Sequence, residues 1–268
     1  MKLSDLFEHS LDTYKGHIFY NNMDEPQALS IQGFSTFEYW DEVRDDFKCI
    51  DNAIISLRGA PAKVGGMFVC RDNELRSLLF CPQEIGGWFD CSSNDITSLK
   101  GLPKTLKKGV DISGNKITSL EGCQEEFKAD FDCTSNELTD FKGGPKKVIG
   151  NYNASWNKIT SLEGCPYDVG GDFSIIENQL TSLQSIHKYF KNGGIAGKIE
   201  IGGNPIKSHI LGLLLIPDLM GITVNANDNK DFRNAVSIII NHLNNHEPDL
   251  IDCQQELIEA GLKAYAQL

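Results

Sequence analysis

The chain lacks the features that would direct it to a membrane or mark it as a metalloprotein. Its longest apolar stretch, residues 210–216, ends at Pro217 and is too short to span a bilayer. Residues 1–9 carry acidic side chains where a secretory signal needs an apolar run. The sequence has no Cys-x-x-Cys and no Cys/His spacing typical of a zinc site. We therefore expect a cytoplasmic protein that needs neither a metal nor another cofactor.

Basic residues are also in short supply. The 25 lysines and arginines face 37 aspartates and glutamates, which gives a formal net charge of -12 at pH 7. Binding to phosphates needs clustered lysine and arginine, so this balance argues against nucleic acid as the main ligand. A protein partner with a basic or neutral surface is favoured instead.

What the chain does contain is a repeat with a period of 21 residues. Eight asparagines of the repeat each stand two positions before Leu or Ile, and the first seven of them are 21 residues apart every time. A fixed period of this length indicates a solenoid, in which each repeat is one coil stacked on the next. The eight are Asn52, Asn73, Asn94, Asn115, Asn136, Asn157, Asn178 and Asn204.

Each coil is predicted to contribute one short strand with two inward-facing apolar positions. Because side chains alternate across a strand, Phe68 and Cys70 should point to the core, whereas Met67 and Val69 should point the other way. The repeat asparagine is expected to bind backbone groups that the bend of the chain would leave unpaired. The inward pair recurs as Phe47/Cys49, Phe89/Cys91, Val110/Ile112, Phe131/Cys133, Tyr152/Ala154, Phe173/Ile175 and Ile199/Ile201.

The return side of each coil is rich in proline and glycine. One repeat position holds proline five times, and paired glycines recur close to it, which argues against helices on this side. We expect the return side to be extended and thin. These prolines are Pro61, Pro82, Pro103, Pro145 and Pro166, and the glycine pairs are Gly65/Gly66, Gly86/Gly87 and Gly170/Gly171.

The consensus Phe-x-Cys-x-x-Asn-x-(Leu/Ile)-x-x-Leu-x-Gly-x-Pro-x-x-Val-x-Gly resembles the short leucine-rich repeats of bacterial and bacteriophage proteins. That resemblance implies a leucine-rich repeat solenoid, or horseshoe, with a parallel β-sheet on the concave face and extended turns on the convex face. It covers about eight coils over residues 46–206. The stretches 204–216 and 252–268 are similar to the endings of leucine-rich repeat proteins of tailed bacteriophages, which implies a viral origin.

Two end structures are predicted to flank the array. Residues 1–45 are expected to form an N-terminal cap that covers the open edge of the first coil. Residues 207–268 are expected to form a helical C-terminal cap, because apolar residues return at helical spacing in 210–216, 232–243 and 250–268. The N-terminal candidates are the aromatics Phe34, Phe37, Tyr39 and Trp40 and the helix-like stripe Leu3, Leu6, Phe7 and Leu11.

The eight cysteines are interpreted as core residues rather than a disulfide framework. Three of them recur every second coil, roughly 9 to 10 Å apart, which exceeds the reach of a disulfide. Three others stand in consecutive coils and are close enough to bond. We nevertheless expect buried, reduced thiols. The distant set is Cys81, Cys123 and Cys165, and the consecutive set is Cys49, Cys70 and Cys91.

The outward strand positions are predicted to form the binding surface. Asp90, Asp111 and Asp132 stack in consecutive coils, although aspartate is a poor strand residue and like charges about 4.8 Å apart repel by on the order of 1 kcal/mol. Folding alone is not expected to call for this row, and inheritance through coil duplication is the other interpretation. A flat ladder offers too few oxygens for calcium. The predicted partner-binding residues are Trp88, Asp90, Asp111, Asp130, Asp132, Asn151, Asn153, Asp172, Glu200 and Trp156.

Signals for catalysis are weak. His242 and His246 have helical spacing, but Leu243 stands where a zinc peptidase motif carries glutamate. The segment 113–116, Ser-Gly-Asn-Lys, lacks the flanking glycines of a phosphate loop. Cys253 suggests a ubiquitin-ligase-like effector, but the roughly 60 residues that follow the array are too few for a domain of that kind.

We therefore expect a non-catalytic protein-binding module that uses its concave acidic face to hold a partner. If the phage resemblance holds, the partner is a bacterial host protein that the module inhibits. A virion assembly or structural role is the main alternative, and a ligase-like effector is the enzymatic one.

Overall fold

The structure is a computed structural model that describes residues 18–20, 42–58, 60–245 and 249–268. The chain divides into two compact units, Met1–Ile112 and Ser113–Leu268. Each unit is a parallel β-solenoid, in which every strand pairs in register with the strand at the same position of the neighbouring coil. The predicted solenoid is therefore confirmed.

The first unit builds two parallel sheets from its coils. In the main sheet Phe47 lies opposite Phe68, which lies opposite Phe89, so equivalent residues stack in a column. A second sheet runs along the return side. The main-sheet strands are β1 (Ile18–Tyr20), β3 (Phe47–Cys49), β5 (Phe68–Val69), β7 (Phe89–Asp90) and β9 (Val110–Asp111). The return strands are β2 (Glu42–Val43), β4 (Lys63–Val64), β6 (Glu84–Ile85) and β8 (Thr105–Leu106).

The second unit repeats this plan and adds helices. Its main-sheet strands are β11 (Phe131–Asp132), β13 (Tyr152–Asn153), β15 (Phe173–Ser174), β17 (Lys198–Glu200) and β18 (Gly221–Thr223). Its return strands are β10 (Glu126–Phe127), β12 (Lys147–Val148), β14 (Asp168–Val169) and β16 (Gly194–Ile195). Its helices are α1 (Ile186–Tyr189), a 3-10 helix (Leu211–Leu215), α2 (Lys230–Leu243) and α3 (Leu250–Glu259).

The predicted inward residues form the core of each coil. Phe68 and Cys70 are completely buried, and the Phe68 ring stacks on Phe47 at 5.3 Å and on Phe89 at 6.0 Å between ring centroids. In the second unit Tyr152 meets Phe173 edge-on at 5.4 Å. Burying a side chain of this size stabilises the fold by about 1.5 to 3 kcal/mol. Because no coil encloses its own apolar face, this stabilisation depends on the neighbouring coil.

The return side is extended, as predicted, and its glycines allow the coils to approach closely. A Cβ atom at Gly86 would lie only 2.0 Å from the carbonyl oxygen of Gly65 in the preceding coil. Real Cβ contacts are never that short, so a side chain at this position would separate the coils. Direct backbone contact between neighbouring coils therefore keeps the return side of the solenoid thin.

The repeat asparagine joins each coil to the preceding one, which confirms the predicted ladder. The Oδ1 atom of Asn157 accepts a hydrogen bond from the Leu138 amide at 2.9 Å, and its Nδ2 donates to the carbonyl oxygens of Cys133, Ala154 and Ser155 at 3.0 to 3.2 Å. The asparagines whose Oδ1 accepts from the preceding coil in the same way are Asn73, Asn94, Asn136, Asn178 and Asn204.

The C-terminal helices begin at side-chain caps. Asn229 accepts hydrogen bonds from the amides of Asp231 and Phe232 at the start of α2, and Asp249 caps the first turn of α3. Helix α2 contacts β18, the 3-10 helix and α3. Helix α3 ends at Glu259 and is therefore shorter than the helical pattern predicted over 250–268. It ends there because Gly261 adopts a left-handed backbone with φ 78°.

The expectation that every cysteine is reduced is wrong for Cys49 and Cys70, which form a disulfide. They occupy the same position in adjacent coils, where in-register stacking brings their Cα atoms to 4.9 Å. Burial raises the pKa of the Cys91 and Cys133 thiols well above the usual range, so both are protonated at neutral pH. The cysteines outside this disulfide are Cys81, Cys91, Cys123, Cys133, Cys165 and Cys253.

The predicted N-terminal cap lies largely outside the described residues. This applies to its aromatic candidates Phe34, Phe37, Tyr39 and Trp40 and to the stripe Leu3, Leu6, Phe7 and Leu11. The structure adds strand β1, which sequence reasoning missed and which pairs in parallel with β3. No described helix has the length and apolar character needed to cross a membrane.

Replacing Asn157 by alanine should destabilise the second unit by about 3 kcal/mol or more. The change leaves the buried Leu138 amide without its acceptor, which costs about 1 to 3 kcal/mol, and removes one of two donors from each of the three carbonyl oxygens, at about 0.5 to 1.5 kcal/mol per hydrogen bond. The donors that remain on these carbonyls are Asn136 Nδ2, Asn178 Nδ2 and the Ser135 amide. Urea unfolding measures the effect. The adjacent Lys158→Ala variant, which loses only an exposed ion pair with Glu137, is the control and should change the stability by less than about 1 kcal/mol.

A reducing agent should destabilise the wild-type protein by about 3 kcal/mol, since the Cys49–Cys70 bond closes a 21-residue loop in the unfolded chain. The Cys70→Ser variant should unfold at the same denaturant concentration with or without reductant. Peptide mapping without reduction should recover the linked peptides. Alkylation of both thiols in the untreated protein would contradict the assignment.

Candidate functional site

In the first unit two of the predicted carboxylates face each other across neighbouring strands. Asp90 of β7 is the register partner of Asp111 of β9, and both are half-buried. Burial raises the pKa of Asp90, the negative charge of Asp111 raises it further, and hydrogen bonds from Ser92 and the charge of Arg71 act in the opposite direction. The pair therefore carries electrostatic repulsion in a partly desolvated setting.

Asp90 also has a role in the fold. Its Oδ1 atom accepts hydrogen bonds from the amide of Ser92 at 3.0 Å and from the Ser92 hydroxyl at 2.7 Å, where the chain leaves the strand. Its Oδ2 atom lies 4.0 Å from Nε of Arg71. The expectation that folding alone does not call for an aspartate here is therefore wrong in part, since an oxygen acceptor closes the turn.

The same turn recurs in the second unit. Asp132 accepts from the Thr134 amide at 2.8 Å, and Asn153 accepts from the Ser155 amide at 3.1 Å. Asp132 lies opposite Asn153 in the sheet, and Glu200 lies opposite Ser174. The turn thus accepts either aspartate or asparagine, so its geometry requires the oxygen and not the charge.

The second predicted row of the second unit forms an interlocking column. The Oδ1 atoms of Asp130, Asn151 and Asp172 each accept a hydrogen bond from the amide at the same position of the next coil, at 2.7, 2.8 and 2.7 Å. In the first unit Asp46 binds the Met67 amide in the same way at 2.8 Å. These side chains therefore bridge the coils of the sheet while remaining at least partly exposed, and the bridging role was not predicted from the sequence.

The glycines that precede this column are explained by the same contact. A Cβ atom at Gly150 would lie 2.1 Å from Oδ1 of Asp130, and one at Gly171 would lie 2.2 Å from Oδ1 of Asn151. The side chain of one coil fills the space that a Cβ would need in the next. A sequence signal for this arrangement exists, because Asp46, Asp130 and Asn151 are each followed 20 residues later by glycine.

The structure places the two predicted aromatics in different units. Trp88 of the first unit is half-buried, and its carbonyl oxygen accepts from the Phe68 amide at 2.8 Å. Trp156 of the second unit is 58% exposed and has a left-handed backbone with φ 57°. Because serine and glutamate fill the equivalent positions 135 and 177, the coil does not require an aromatic residue at position 156.

The residues considered for catalysis have structural surroundings. Nε2 of His242 lies 2.8 Å from Oε2 of Glu256, while His246 lies outside the described residues. Cys253 is buried, and burial raises the pKa of its thiol to about 11. Within the described ranges no three histidine, cysteine, aspartate or glutamate residues are arranged to hold a metal ion.

The second unit contains a cavity of about 470 Å³ that was not predicted from the sequence. Its polar lining includes Glu177, Asn225 and Asp228, which come from a solenoid coil and from the loop between β18 and α2. The only sequence signal is the polar run Asn-Ala-Asn-Asp-Asn at 225–229, which predicts a turn.

Comparison with protein-family models and with curated proteins gives no match. The function is therefore inferred from the geometry.

The difference in stability between the Asp90→Asn variant and the wild type should depend on pH. Because folding raises the pKa of Asp90, this carboxyl favours the folded state at low pH and loses that contribution as the pH rises through its folded pKa. The variant keeps the acceptor for Ser92, so its stability relative to wild type should be highest near about pH 7 and fall toward about pH 4.

Urea unfolding across this pH range measures the difference. An Asp90→Ala variant, which also loses the acceptor for the Ser92 amide, is the contrast and should be less stable than Asp90→Asn throughout. A stability difference between Asp90→Asn and wild type that stays flat with pH would contradict the linkage.

Proposed function

We propose that the protein is a non-catalytic, protein-binding solenoid of the leucine-rich repeat type. Its acidic strand faces hold a partner protein whose surface is basic or neutral, and residues 207–268 serve as the helical C-terminal cap. In the first unit the binding face centres on Trp88, Asp90 and Asp111. In the second unit it comprises Asp130, Asp132, Asn151, Asn153, Asp172 and Glu200, with Trp156 at the end of its strand.

The main support for this proposal is that negatively charged carboxylates occupy positions where the fold requires only an oxygen acceptor. Asn153 closes the same turn that Asp90 and Asp132 close, and Asn151 bridges coils as Asp130 and Asp172 do. Asparagine would therefore preserve the backbone contacts without repulsion between carboxylates. A cationic partner surface would offset that repulsion, so the carboxylates would favour binding of such a partner.

The resemblance to leucine-rich repeat proteins of tailed bacteriophages suggests what kind of partner to look for. It supports a bacterial host protein as the target and inhibition of that protein as the consequence. Salt should weaken the complex, because exposed charges separated by more than about 10 Å are screened at 0.1 M ionic strength.

Capture from bacterial lysate followed by mass spectrometry tests the proposal. We expect the wild type to retain a partner that the Asp90→Asn/Asp111→Asn variant retains at least about tenfold more weakly, which corresponds to about 1.4 kcal/mol. An Asp130→Asn/Asp132→Asn/Asp172→Asn variant tests the second unit separately and keeps the bridging oxygens.

The matched control is Glu42→Gln/Glu84→Gln, which removes two charges from the return side of the first unit, where both residues pair with Lys63. It should bind as the wild type does. Equal capture by the wild type and both face variants, or recovery of the protein only as a component of purified virus particles, would reject the proposal.

A further inference from the structure

The cavity of about 470 Å³ in the second unit is a separate feature from the strand face. It is bordered by two adjacent coils, which contribute Glu177 and Gly203, by the loop that follows β18, and by Tyr265. Its volume lies within the range of about 300 to 1,000 Å³ that is usual for small ligand sites. It can therefore accept one long side chain of a partner.

Glu177 is held in place at this cavity. Its Oε1 atom accepts a hydrogen bond from Nδ2 of Asn225 at 3.1 Å. A Cβ atom at Gly203 would lie 2.4 Å from the carboxyl carbon of Glu177, so the glycine makes room for the carboxylate. The negative charge is thereby fixed at the cavity wall by contacts from two segments of the chain.

Asp228 supplies a second negative charge and fixes the loop. Its Oδ1 atom accepts from the Gly203 amide at 2.8 Å, and its Oδ2 atom accepts from the Asn225 amide at 2.6 Å. Besides these two carboxylates, the lining contains one cationic group, the exposed Lys207. The cavity therefore has a net negative lining on a wall that two backbone hydrogen bonds keep in position.

Trp156 precedes Glu177 by one coil and lies outside the cavity lining itself. It occupies the same position as Glu177 one coil earlier, as the equivalent hydrogen bonds from Trp156 N to Ile176 O and from Glu177 N to Gly202 O show, both at 2.8 Å. Adjacent coils are about 4.8 Å apart. Trp156, a residue that is 58% exposed, thus stands one coil before the residue that carries the fixed carboxylate.

A flat aromatic surface beside a carboxylate matches one side chain better than any other. The guanidinium group of arginine is planar, stacks on indole rings and binds carboxylates through a fork of N–H donors, whereas the ammonium of lysine is a compact, strongly hydrated charge. We propose that this cavity binds an arginine side chain of a partner protein, with Glu177 as the charge partner and Trp156 as the stacking surface. The site shares Trp156 with the proposed binding face, but it goes beyond the proposed function because it centres on Glu177 and specifies one residue type.

Titration with the blocked peptide acetyl-Gly-Arg-Gly-amide, followed by amide chemical shifts, tests this directly. We expect saturable shifts at Glu177, Gly203 and Asn225. The analogue with citrulline, which is uncharged but has the same shape, should produce no saturable shift, and the lysine analogue should bind more weakly than the arginine peptide.

Two variants probe the assigned roles. Glu177→Gln retains an oxygen for Asn225 and should weaken binding at least about tenfold, and Trp156→Ser introduces the residue found at position 135 and should weaken it about threefold or more. Glu137→Gln, which removes an exposed carboxylate paired with Lys158, is the matched control and should bind as the wild type does.

The absence of a saturable shift with the arginine peptide would overturn the inference. So would equal binding of the citrulline or lysine analogue, or unchanged affinity in Glu177→Gln. The Asp90→Asn/Asp111→Asn variant should retain full arginine binding, so failure of the strand-face proposal and failure of this one give different results.

Discussion

The whole structure depends on pairing the backbone polar groups that lie between stacked coils. Coils about 4.8 Å apart leave no room for water between them, so every amide and carbonyl at the bends needs a partner within the protein. Asparagine and aspartate oxygens supply those partners along two columns, one through Asn157 and its equivalents and one through Asp130 and its equivalents. The apolar columns of Phe68 and its neighbours can stack closely because these bends are satisfied.

The same constraint explains why the candidate surface is difficult to separate from the fold. Asp90 and Asp132 present charge and also close a turn, so part of each residue serves structure. Asn153 and Asn151 accept the equivalent hydrogen bonds without a negative charge. The charge of the aspartates is therefore the part of these residues that the fold does not require and that is left for binding. The same residue positions serve the fold and the surface. The fold accepts an amide or a carboxylate at these positions, whereas a charged surface requires the carboxylate.

Much of the fold could be predicted from the sequence because it repeats. The period of 21 residues fixed the coils, the alternation at Phe68 and Cys70 fixed the core face, and the asparagine column followed from the need to pair buried backbone groups. The Cys49–Cys70 bond was not predicted, because spacing showed that the thiols could meet but not that they would be bonded. The bridging role of Asp130 was not predicted, because a strand pattern gives the side of the sheet on which a side chain lies but not the backbone groups that it contacts.

Features that do not repeat could not be predicted from the 21-residue pattern. The cavity joins Glu177 to Asn225, which is 48 residues away in the chain and belongs to a loop with no counterpart in the other coils. Strand β1 pairs with β3 outside the 21-residue register, so its place in the sheet could not be inferred from the period. In both cases the contact depends on where a non-repeating segment folds back.

Native-state amide hydrogen exchange tests most directly whether asparagine and aspartate side chains hold adjacent coils together. The amides of Leu138, Ile159 and Asn151 bind side-chain oxygens and not a strand partner, so they should be protected as strongly as the strand amides of Phe131 and Tyr152. Exchange of those three amides at rates typical of an unfolded chain, in an otherwise protected protein, would contradict this.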